Sequence, residues 1–187
     1  MTDPDAHLPE DVMWQGRFVT AKRRGRWEYV ARARGIRAAV ILAIEHGHVL
    51  LVEQYRVPLG RNCLELPAGL IGDEAGAEGE DALAAAGREL EEETGYRAQK
   101  LESCGEFFSS PGMVSEGFTL VRASGLEKVG PGGGTVSENI TVHRVALADV
   151  AAFIEKKRAE NCGIDVRLLL LLATTLIKAE SEEEHTS

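Results

Sequence analysis

Positions 88–96 of the chain read RELEEETGY, and this stretch is the most informative part of the sequence. At about 100° per residue of an α-helix, Glu92 and Glu93 share one face with Glu89, because they follow it by three and four residues. Glu91 points the opposite way. Gly95 predicts the end of the helix, since glycine commonly follows the last helical residue. We therefore expect a helix over residues 80–94 that carries three carboxylates on one side.

Like charges on one helix face destabilise the helix, so this acidic face needs an explanation. A hard divalent cation with oxygen ligands would compensate the charges, whereas a solvated acidic face is the usual fate of a run of glutamates. Spacing alone leaves both interpretations open. On the same helix, Leu83, Ala86 and Leu90 form an apolar stripe that is expected to pack on a sheet. Ala82 and Ala85 are expected to leave room on the acidic side.

The pattern around this helix resembles the Nudix box. Glu80, followed after seven residues by the stretch 88–96, is similar to the second half of the box of the Nudix hydrolases. The sequence PAG at 67–69 supplies the leading glycine of the box, but ten residues separate Gly69 from Glu80, more than is usual in the family. We interpret the excess as an insertion at 72–79 that leaves the register of the helix unchanged.

Within the family, the chain looks most similar to the ADP-ribose pyrophosphatases. The segments VEQYR at 52–56 and LELPAG at 64–69 resemble those that precede the box in this subfamily, and Pro111 resembles its proline loop. The resemblance implies Mg²⁺-dependent hydrolysis of ADP-ribose to AMP and ribose 5-phosphate, with Mn²⁺ as a substitute. The alternatives are a pyrophosphatase for another nucleoside diphosphate sugar, such as GDP-mannose, or for a dinucleotide, and a non-catalytic Nudix module that senses a nucleotide.

The resemblance also implies metal ligands, by matching position. Glu89, Glu92 and Glu93 would bind Mg²⁺ together with the backbone carbonyl of Ala68. Arg88 would fix the helix by pairing with a carboxylate of the box, and both Arg88 and Glu92 belong to the implied catalytic residues. Such a set suits the reaction, because hydrolysis of a pyrophosphate needs an activated water and neutralised phosphoryl oxygens, which divalent metals supply.

A general base is implied at one of two positions. Glu116 occupies its place in the bacterial members of the family, and Glu138 matches relatives in which a later loop supplies it. We prefer Glu116.

The implied substrate-binding residues are Trp14, Trp27, Arg32, Arg56, Glu65 and Met113. The guanidinium of Arg56 suits the oxygens of a terminal phosphate, with a plain surface arginine as the alternative. Trp14 and Trp27 correspond to tryptophans that stack on adenine in related dimeric enzymes, near Arg32. A core or dimer-interface role for either tryptophan is equally open.

The composition is that of an ordinary folded domain. The chain has 187 residues, 44% of them hydrophobic, and a net charge of −9, which argues against a nucleic-acid partner. The apolar run 168–177 is too short to cross a membrane, since about 20 residues are needed, and predicts a buried helix. The N-terminus shows no secretory signal. Cys63, Cys104 and Cys162 are odd in number and scattered, which favours a cytoplasmic location.

The order of elements predicts an α+β protein with the Nudix fold, an α/β/α sandwich with a mixed sheet. The box helix is expected on one face of this sheet and the C-terminal helices on the other. We expect residues 1–35 to form an antiparallel β-hairpin layer that builds a homodimer, 36–179 to form the Nudix domain, and 180–187 to be a disordered acidic tail. Each adenine pocket of the dimer would draw on both chains.

The expected strands and helices follow the hydrophobic pattern. The hairpin strands are expected around 14–21 and 26–34. The remaining strands are expected at 36–44, 49–55, 64–70, 98–108, 118–123 and 139–147, with the first two of these paired. Helices are expected at 148–159 and 166–179, and Asp165 is the expected N-cap of the second. The glycine-rich stretch Gly130–Gly134 lacks the residues of a phosphate-binding loop and is interpreted as a plain linker.

Overall fold

An antiparallel sheet of three strands forms the N-terminal part of the computed structural model, which describes residues 3–32, 36–72, 79–135 and 138–178. The strands are β1 (Asp11–Gln15), β2 (Val19–Arg24) and β3 (Trp27–Arg32). The expected antiparallel N-terminal layer is confirmed, but it has three strands instead of the two expected around 14–21 and 26–34. The stretch expected as the first hairpin strand is divided between β1 and β2 by a tight turn, in which the Gly16 amide donates to the Val19 carbonyl at 2.9 Å. The indole of Trp14 covers this turn, 2.4 Å from where a Cβ on Gly16 would lie.

The main sheet is mixed, as predicted. Its strands within the described residues are β4 (Arg37–Glu45), β5 (His48–Arg56), β6 (Arg61–Glu65), β7 (Ala68–Ile71), β8 (Tyr96–Phe108), β9 (Gly117–Lys128), β10 (Thr141–Ala146) and β11 (Gly163–Ile164). They follow the order β11-β6-β5-β4-β9-β8, while β10 pairs with β5 and β7 pairs with β4. The pairs β4–β9 and β6–β11 are parallel, and the other pairs are antiparallel.

β4 and β5 pair with each other only beside their turn. The paired residues are Ile44 with Val49 and Glu45 with His48. Beyond these residues the strands separate. β4 forms its other hydrogen bonds with β7 and β9, and β5 forms its other hydrogen bonds with β6 and β10. The expectation of two paired central strands thus holds only at the turn. The separation opens a space between the start of β4 and the end of β5.

Among the residues that the structure describes, three α-helices cover the sheet: α1 (Ala82–Thr94), α2 (Val150–Ala159) and α3 (Leu169–Lys178). Side chains of β4 alternate between two hydrophobic clusters, with Ile41 in the cluster under α1 and Val40 in the cluster under α2 and α3. The helices therefore lie on opposite faces, which confirms the α/β/α sandwich.

α1 ends where it was predicted to end, but it begins two residues after the expected position 80. The carboxylate of Asp81 caps its start by accepting from the amides of Leu83 and Ala84, and Gly95 ends it with a φ of 71°. Ala86 and Leu90 are fully buried against the sheet, as the apolar stripe predicts. Ala85 is fully buried in the same cluster, so the expectation that it leaves room on the acidic side is wrong. The sheet therefore covers a wider arc of the helix surface than the arc formed by the predicted apolar stripe.

The C-terminal apolar run is only partly buried. A 3₁₀ turn over Val166–Leu168 precedes α3, and Asp165 caps this turn by accepting from the Arg167 amide at 2.8 Å. Leu168 and Leu172 are buried. The run exposes Leu169, Leu170, Leu176 and Ile177, because α3 meets the sheet with a single stripe. The prediction of a buried helix is therefore wrong for its outer face. No helix in the described ranges is long and apolar enough to cross a membrane.

The prediction of a linker at Gly130–Gly134 is wrong, and the predictions of an insertion and of an acidic tail concern residues that are largely not described. The stretch Gly130–Gly134 is not a plain linker, since Gly133 and Gly134 donate hydrogen bonds to carbonyls at the end of α1. Residues 73–78 of the expected insertion at 72–79, and the acidic tail at 180–187, lie outside the described residues.

One carboxylate connects four elements of the sandwich, β5, β6, β10 and α2. Glu53 on β5 accepts from Asn62 at 3.0 Å, contacts His143 on β10 at 2.9 Å and pairs with Lys157 on α2 at 2.9 Å. Burial alone would raise the pKa of Glu53, but these contacts outweigh burial and lower it to about 2. A folded pKa below the ordinary value means that Glu53 stabilises the fold above about pH 4.5 and loses this contribution as the pH falls toward 2.

We therefore expect Glu53→Gln to lower the free energy of unfolding at pH 7 by about 1–3 kcal/mol, as for hydrogen bonds to a charged group. The difference from the wild type should shrink as the pH falls from 4.5 toward 2, the range in which Glu53 takes up its proton. Urea unfolding at several pH values measures this. Glu155→Gln is the matched control, since Glu155 is exposed and pairs only with Arg158 in the described chain. A constant difference at every pH would contradict the prediction.

Candidate active site

A cavity of about 590 Å³ opens where β4 and β5 separate. Of the site residues expected from the sequence, its wall contains Arg32, Arg56, Glu65, Ala68, Glu89, Glu93, Glu116 and Glu138. The remaining ones, Arg88, Glu92, Trp14, Trp27 and Met113, lie outside the wall. The ends of several strands and the acidic face of α1 thus meet at one opening.

Glu93 is the most buried carboxylate of the acidic helix, with 5% of its surface exposed. Its Oε2 accepts a hydrogen bond from the Ala68 amide at 3.0 Å. Burial, helped by the negative charges of Glu89 and Glu138, raises the pKa of Glu93 to about 8, although the Ala68 amide and Arg56 oppose the shift. Burial and the two neighbouring carboxylates therefore both disfavour a negative charge on Glu93 as long as no cation is bound.

Gly69 lets β7 approach this acidic face. A Cβ on Gly69 would lie 1.9 Å from the carboxyl carbon of Glu89, so no other residue fits there without displacing that side chain. Glu89 also lines the cavity. The glycine thus places the backbone of β7 against the carboxylates of α1.

Arg88 joins the acidic residues beside the cavity. Its Nη1 lies 2.9 Å from Glu89 Oε1 and 3.4 Å from Glu92 Oε2, and its Nε lies 3.6 Å from Glu80 Oε1. Glu92 points outward, with 52% of its side chain exposed. Across the ranges that the structure describes, no three acidic, histidine or cysteine side chains are gathered as a metal site. The donors near Glu93 are all oxygens with excess negative charge, which fits a hard divalent cation.

Two arginines share the carboxylate of Glu65. Arg56 donates from Nε to Oε1 at 2.6 Å and from Nη2 to Oε2 at 2.8 Å, while Arg167 donates to Oε2 at 3.3 Å. Glu65 is 3% exposed, so its oxygens face the guanidinium groups rather than solvent. The paired hydrogen bonds hold Arg56 at the cavity in a fixed orientation.

Sequence reasoning missed the second arginine and its partner. Arg167 donates to both oxygens of Asp165, at 2.6 and 2.7 Å, and both residues line the cavity. Asp165 was expected only as a helix cap. The contact between Arg167 and Glu65 joins residues 102 positions apart, for which the sequence carries no local signal.

Both expected bases reach the cavity from different loops. Glu116 forms an ion pair with Arg32 of β3. Glu138 accepts from the amide of Thr135 at 2.7 Å and from its hydroxyl at 2.8 Å. The geometry brings both carboxylates to the same opening.

The comparison with protein families decides the assignment, because the model of the NUDIX domain matches residues 33–160. The chain belongs to the Nudix family. The match covers the main sheet apart from β11, together with α1 and α2, and its first residue follows β3 of the N-terminal sheet. Nudix hydrolases generally use divalent metal ions, in agreement with the acidic cavity.

Known Nudix relatives carry several names. The chain is 42% identical over 78 residues to the ADP-ribose pyrophosphatase of Bacillus subtilis, covering 42% of this chain and 40% of that protein. It is 35% identical over 133 residues to the ADP-sugar pyrophosphatase of Mus musculus, covering 60% and 58%. The methanol dehydrogenase activator of Bacillus methanolicus is 36% identical over 121 residues, covering 64% and 63%. The chain thus spans less than two thirds of the length of these relatives.

A solved structure described as an ADP compounds hydrolase shares the Nudix fold. Its TM-score is 0.65 at 22% identity, and the match covers 92% of this chain and 94% of that one. At this identity the likeness concerns the fold, including its layered arrangement.

The aromatic residues expected at the substrate lie near the N-terminal sheet of this Nudix chain. Trp14 is 59% exposed on β1, and Met113 is 66% exposed. Trp27 lines a separate cavity of about 410 Å³ together with Pro111. Residues 111–116 are held there because the Val30 amide donates to the Met113 carbonyl at 2.9 Å. Within one chain, both tryptophans are thus apart from the acidic cavity.

Proposed function

We propose that this Nudix protein hydrolyses the pyrophosphate bond of ADP-ribose, with Mg²⁺ as cofactor, to give AMP and ribose 5-phosphate. The strongest support is that one cavity contains both the acidic residues Glu89 and Glu93 and an arginine, Arg56. A buried carboxylate holds this arginine. Relatives named for ADP-ribose and ADP-sugar pyrophosphatase activity support the same substrate class.

Electrostatics make a cation necessary for this reaction. One phosphate charge and one carboxylate about 6 Å apart repel by roughly 3 kcal/mol at an effective dielectric constant near 20. When bound, Mg²⁺ or Mn²⁺ would neutralise charge on the phosphoryl oxygens and make a water more acidic. Glu89, Glu92, Glu93 and the carbonyl of Ala68 would hold it, which requires Glu92 to turn from Arg88 toward the cavity.

The protein's own groups would perform the other tasks. Arg56 would bind the terminal phosphate, since its orientation is fixed by Glu65. Glu116 would take the proton of the attacking water, with Glu138 as the alternative. Arg88 would hold Glu89 in place through its ion pair.

We further propose that residues 1–35 build a homodimer and that 36–179 form the catalytic domain. The N-terminal sheet exposes a set of large apolar side chains, which a monomer rarely leaves open to water. They are Val12, Met13, Trp14 and Phe18, each more than half exposed. A partner chain covering them would bring its tryptophans toward the adenine. The cytoplasmic location stays a prediction from the sequence.

The dimer predicts a specific response to surface charge. We expect the double variant Trp14→Glu/Phe18→Glu to sediment as a monomer, because two charges would be buried without partners. Leu176→Glu on the outer face of α3 is the control and should leave the dimer intact. Sedimentation equilibrium measures both. A wild-type monomer, or a monomer produced only by Leu176→Glu, would contradict the assignment of this interface.

A panel of substrates tests the proposed activity. ADP-ribose, GDP-mannose, other nucleoside diphosphate sugars and a dinucleotide are each incubated with Mg²⁺, and products are separated by chromatography. We expect AMP and ribose 5-phosphate from ADP-ribose at the highest kcat/KM. Preference for another substrate would assign the reaction to that nucleotide instead. Nucleotide binding without turnover would overturn the enzymatic proposal in favour of a sensing module.

A further inference from the structure

The end of α1 has an unusually complete set of hydrogen-bond partners. The last four carbonyls of an α-helix have no partner within the helix. Here the four carbonyls up to the capping Gly95 are all bound, one by the side chain of Lys128 at the end of β9 and three by backbone amides of the segment that follows β9. The pairs are Gly134 N with Glu92 O at 3.0 Å, Gly133 N with Glu93 O at 2.7 Å, Lys128 Nζ with Thr94 O at 2.8 Å and Val129 N with Gly95 O at 2.9 Å. Two of these carbonyls belong to residues proposed as metal ligands.

Close approach requires glycine at one position of this segment. A Cβ on Gly132 would lie 2.4 Å from the carbonyl carbon of Thr94, and Gly132 has a φ of +69°, which favours glycine. Lys128 reinforces the contact from the other side, because its Nζ also binds the Pro131 carbonyl at 3.2 Å. The segment is therefore packed onto the helix end.

The same segment continues directly into the environment of Glu138. Gly133 donates to the Glu93 carbonyl at 2.7 Å and accepts from the Ile140 amide at 3.1 Å. Thr135 donates to the Glu138 carboxylate through its amide and its hydroxyl. One short stretch thus contacts the backbone of the acidic helix and the side chain of a second cavity carboxylate.

We propose that Lys128 and residues 132–135 form a clasp that positions the metal-binding turn of α1 and the carboxylate of Glu138 as one unit. The clasp residues are positioning residues, since they act through Glu92, Glu93 and Glu138. This inference rests on the proposed function, in which that turn binds the cation. The glycines serve close packing rather than flexibility.

Substitution of Gly132 tests the clasp. Gly132→Ala should weaken Mn²⁺ binding to the nucleotide-free protein by about tenfold and lower kcat with ADP-ribose by about 10- to 100-fold, as expected for a misplacement of about 1 Å. The Mn²⁺ affinity is measured by electron paramagnetic resonance of the free ion. Amide hydrogen exchange at Gly133 and Gly134 should accelerate in the same variant.

Two glycine variants are matched controls. Gly130→Ala lies close by in the chain, but its Cβ would meet nothing within 4 Å. Gly47→Ala has a φ of +72° and equally open space, so it reproduces the backbone strain without the contact. Both should bind Mn²⁺ within about twofold of the wild type, as for surface substitutions. Should Gly132→Ala fail to fold, Lys128→Met removes the ammonium contacts and should weaken Mn²⁺ binding in the same direction.

The outcomes separate the clasp from the proposed function. If Gly132→Ala kept the wild-type Mn²⁺ affinity and kcat, the clasp would be overturned and the proposed activity would stand. If that variant does not fold, the same result in Lys128→Met would overturn the clasp. An equal loss in Gly47→Ala would also overturn it, because strain alone would then explain the effect. A wild-type protein that binds Mn²⁺ but hydrolyses no nucleotide would reject the activity and leave the metal-binding comparison valid. A wild-type protein that binds no Mn²⁺ would overturn both.

Discussion

Glu93→Gln should lower kcat by about 10²- to 10³-fold, as the loss of a group that stabilises transition-state charge does. The substitution should leave the fold nearly unchanged. At neutral pH the raised pKa of Glu93, about 8, keeps much of the metal-free protein in the protonated form. Glutamine has the shape and the neutrality of that form, so the free energy of unfolding should stay within about 0.5 kcal/mol.

Thermal unfolding with and without Mg²⁺ adds a second measurement. Mg²⁺ should raise the melting temperature of the wild type and not that of Glu93→Gln, because a ligand stabilises only the protein that binds it. Glu91→Gln is the matched control on the same helix, since Glu91 pairs with Arg97 at 2.9 Å on the opposite face. It should keep wild-type kcat. Near-wild-type turnover of Glu93→Gln would refute its role as a metal ligand.

Glu116→Gln should lower kcat by about 10²- to 10⁴-fold, the usual contribution of a general base. Glu138→Gln should have a smaller effect on kcat. Steady-state kinetics at saturating Mg²⁺ measure kcat of both variants.

The ion pair of Glu116 requires its own control. Glu116→Gln also releases Arg32, its partner on β3. Arg32→Met removes the same ion pair while leaving the carboxylate, so its kcat should stay much closer to that of the wild type. If Arg32→Met reproduced the loss of kcat, the pair would matter for structure rather than for proton transfer. If Glu138→Gln caused the larger loss of kcat instead, Glu138 would be the base.

Local chemistry made α1 predictable from the sequence. Its apolar stripe and its terminal Gly95 each act within a few residues, and both have the expected roles. The sheet was less predictable. The hydrophobic pattern identifies β4 and β5 as strands, but it carries no information on which neighbours they take after the turn.

The candidate site shows the same limit. The spacing of Glu89 and Glu93 on one helix predicts that they share a face, and both line the cavity. The contact of Glu65 with Arg167 spans 102 residues and is created only by the packing of β6 beside β11. The stretch Gly130–Gly134 misled the sequence interpretation, because the composition that permits a loose loop also permits close packing against a helix.

β4 and β5 pair only beside their turn, and this has a consequence for how the protein can evolve. The cavity lies in the gap between these two strands, where the backbone groups of each strand bond to other strands instead. The gap therefore removes no residue from either of the two apolar clusters. Side chains at the rim of that gap come from separate strands and loops. Selection can therefore change which ligand enters the cavity by replacing rim residues one at a time, while the interior that keeps the chain folded stays as it is.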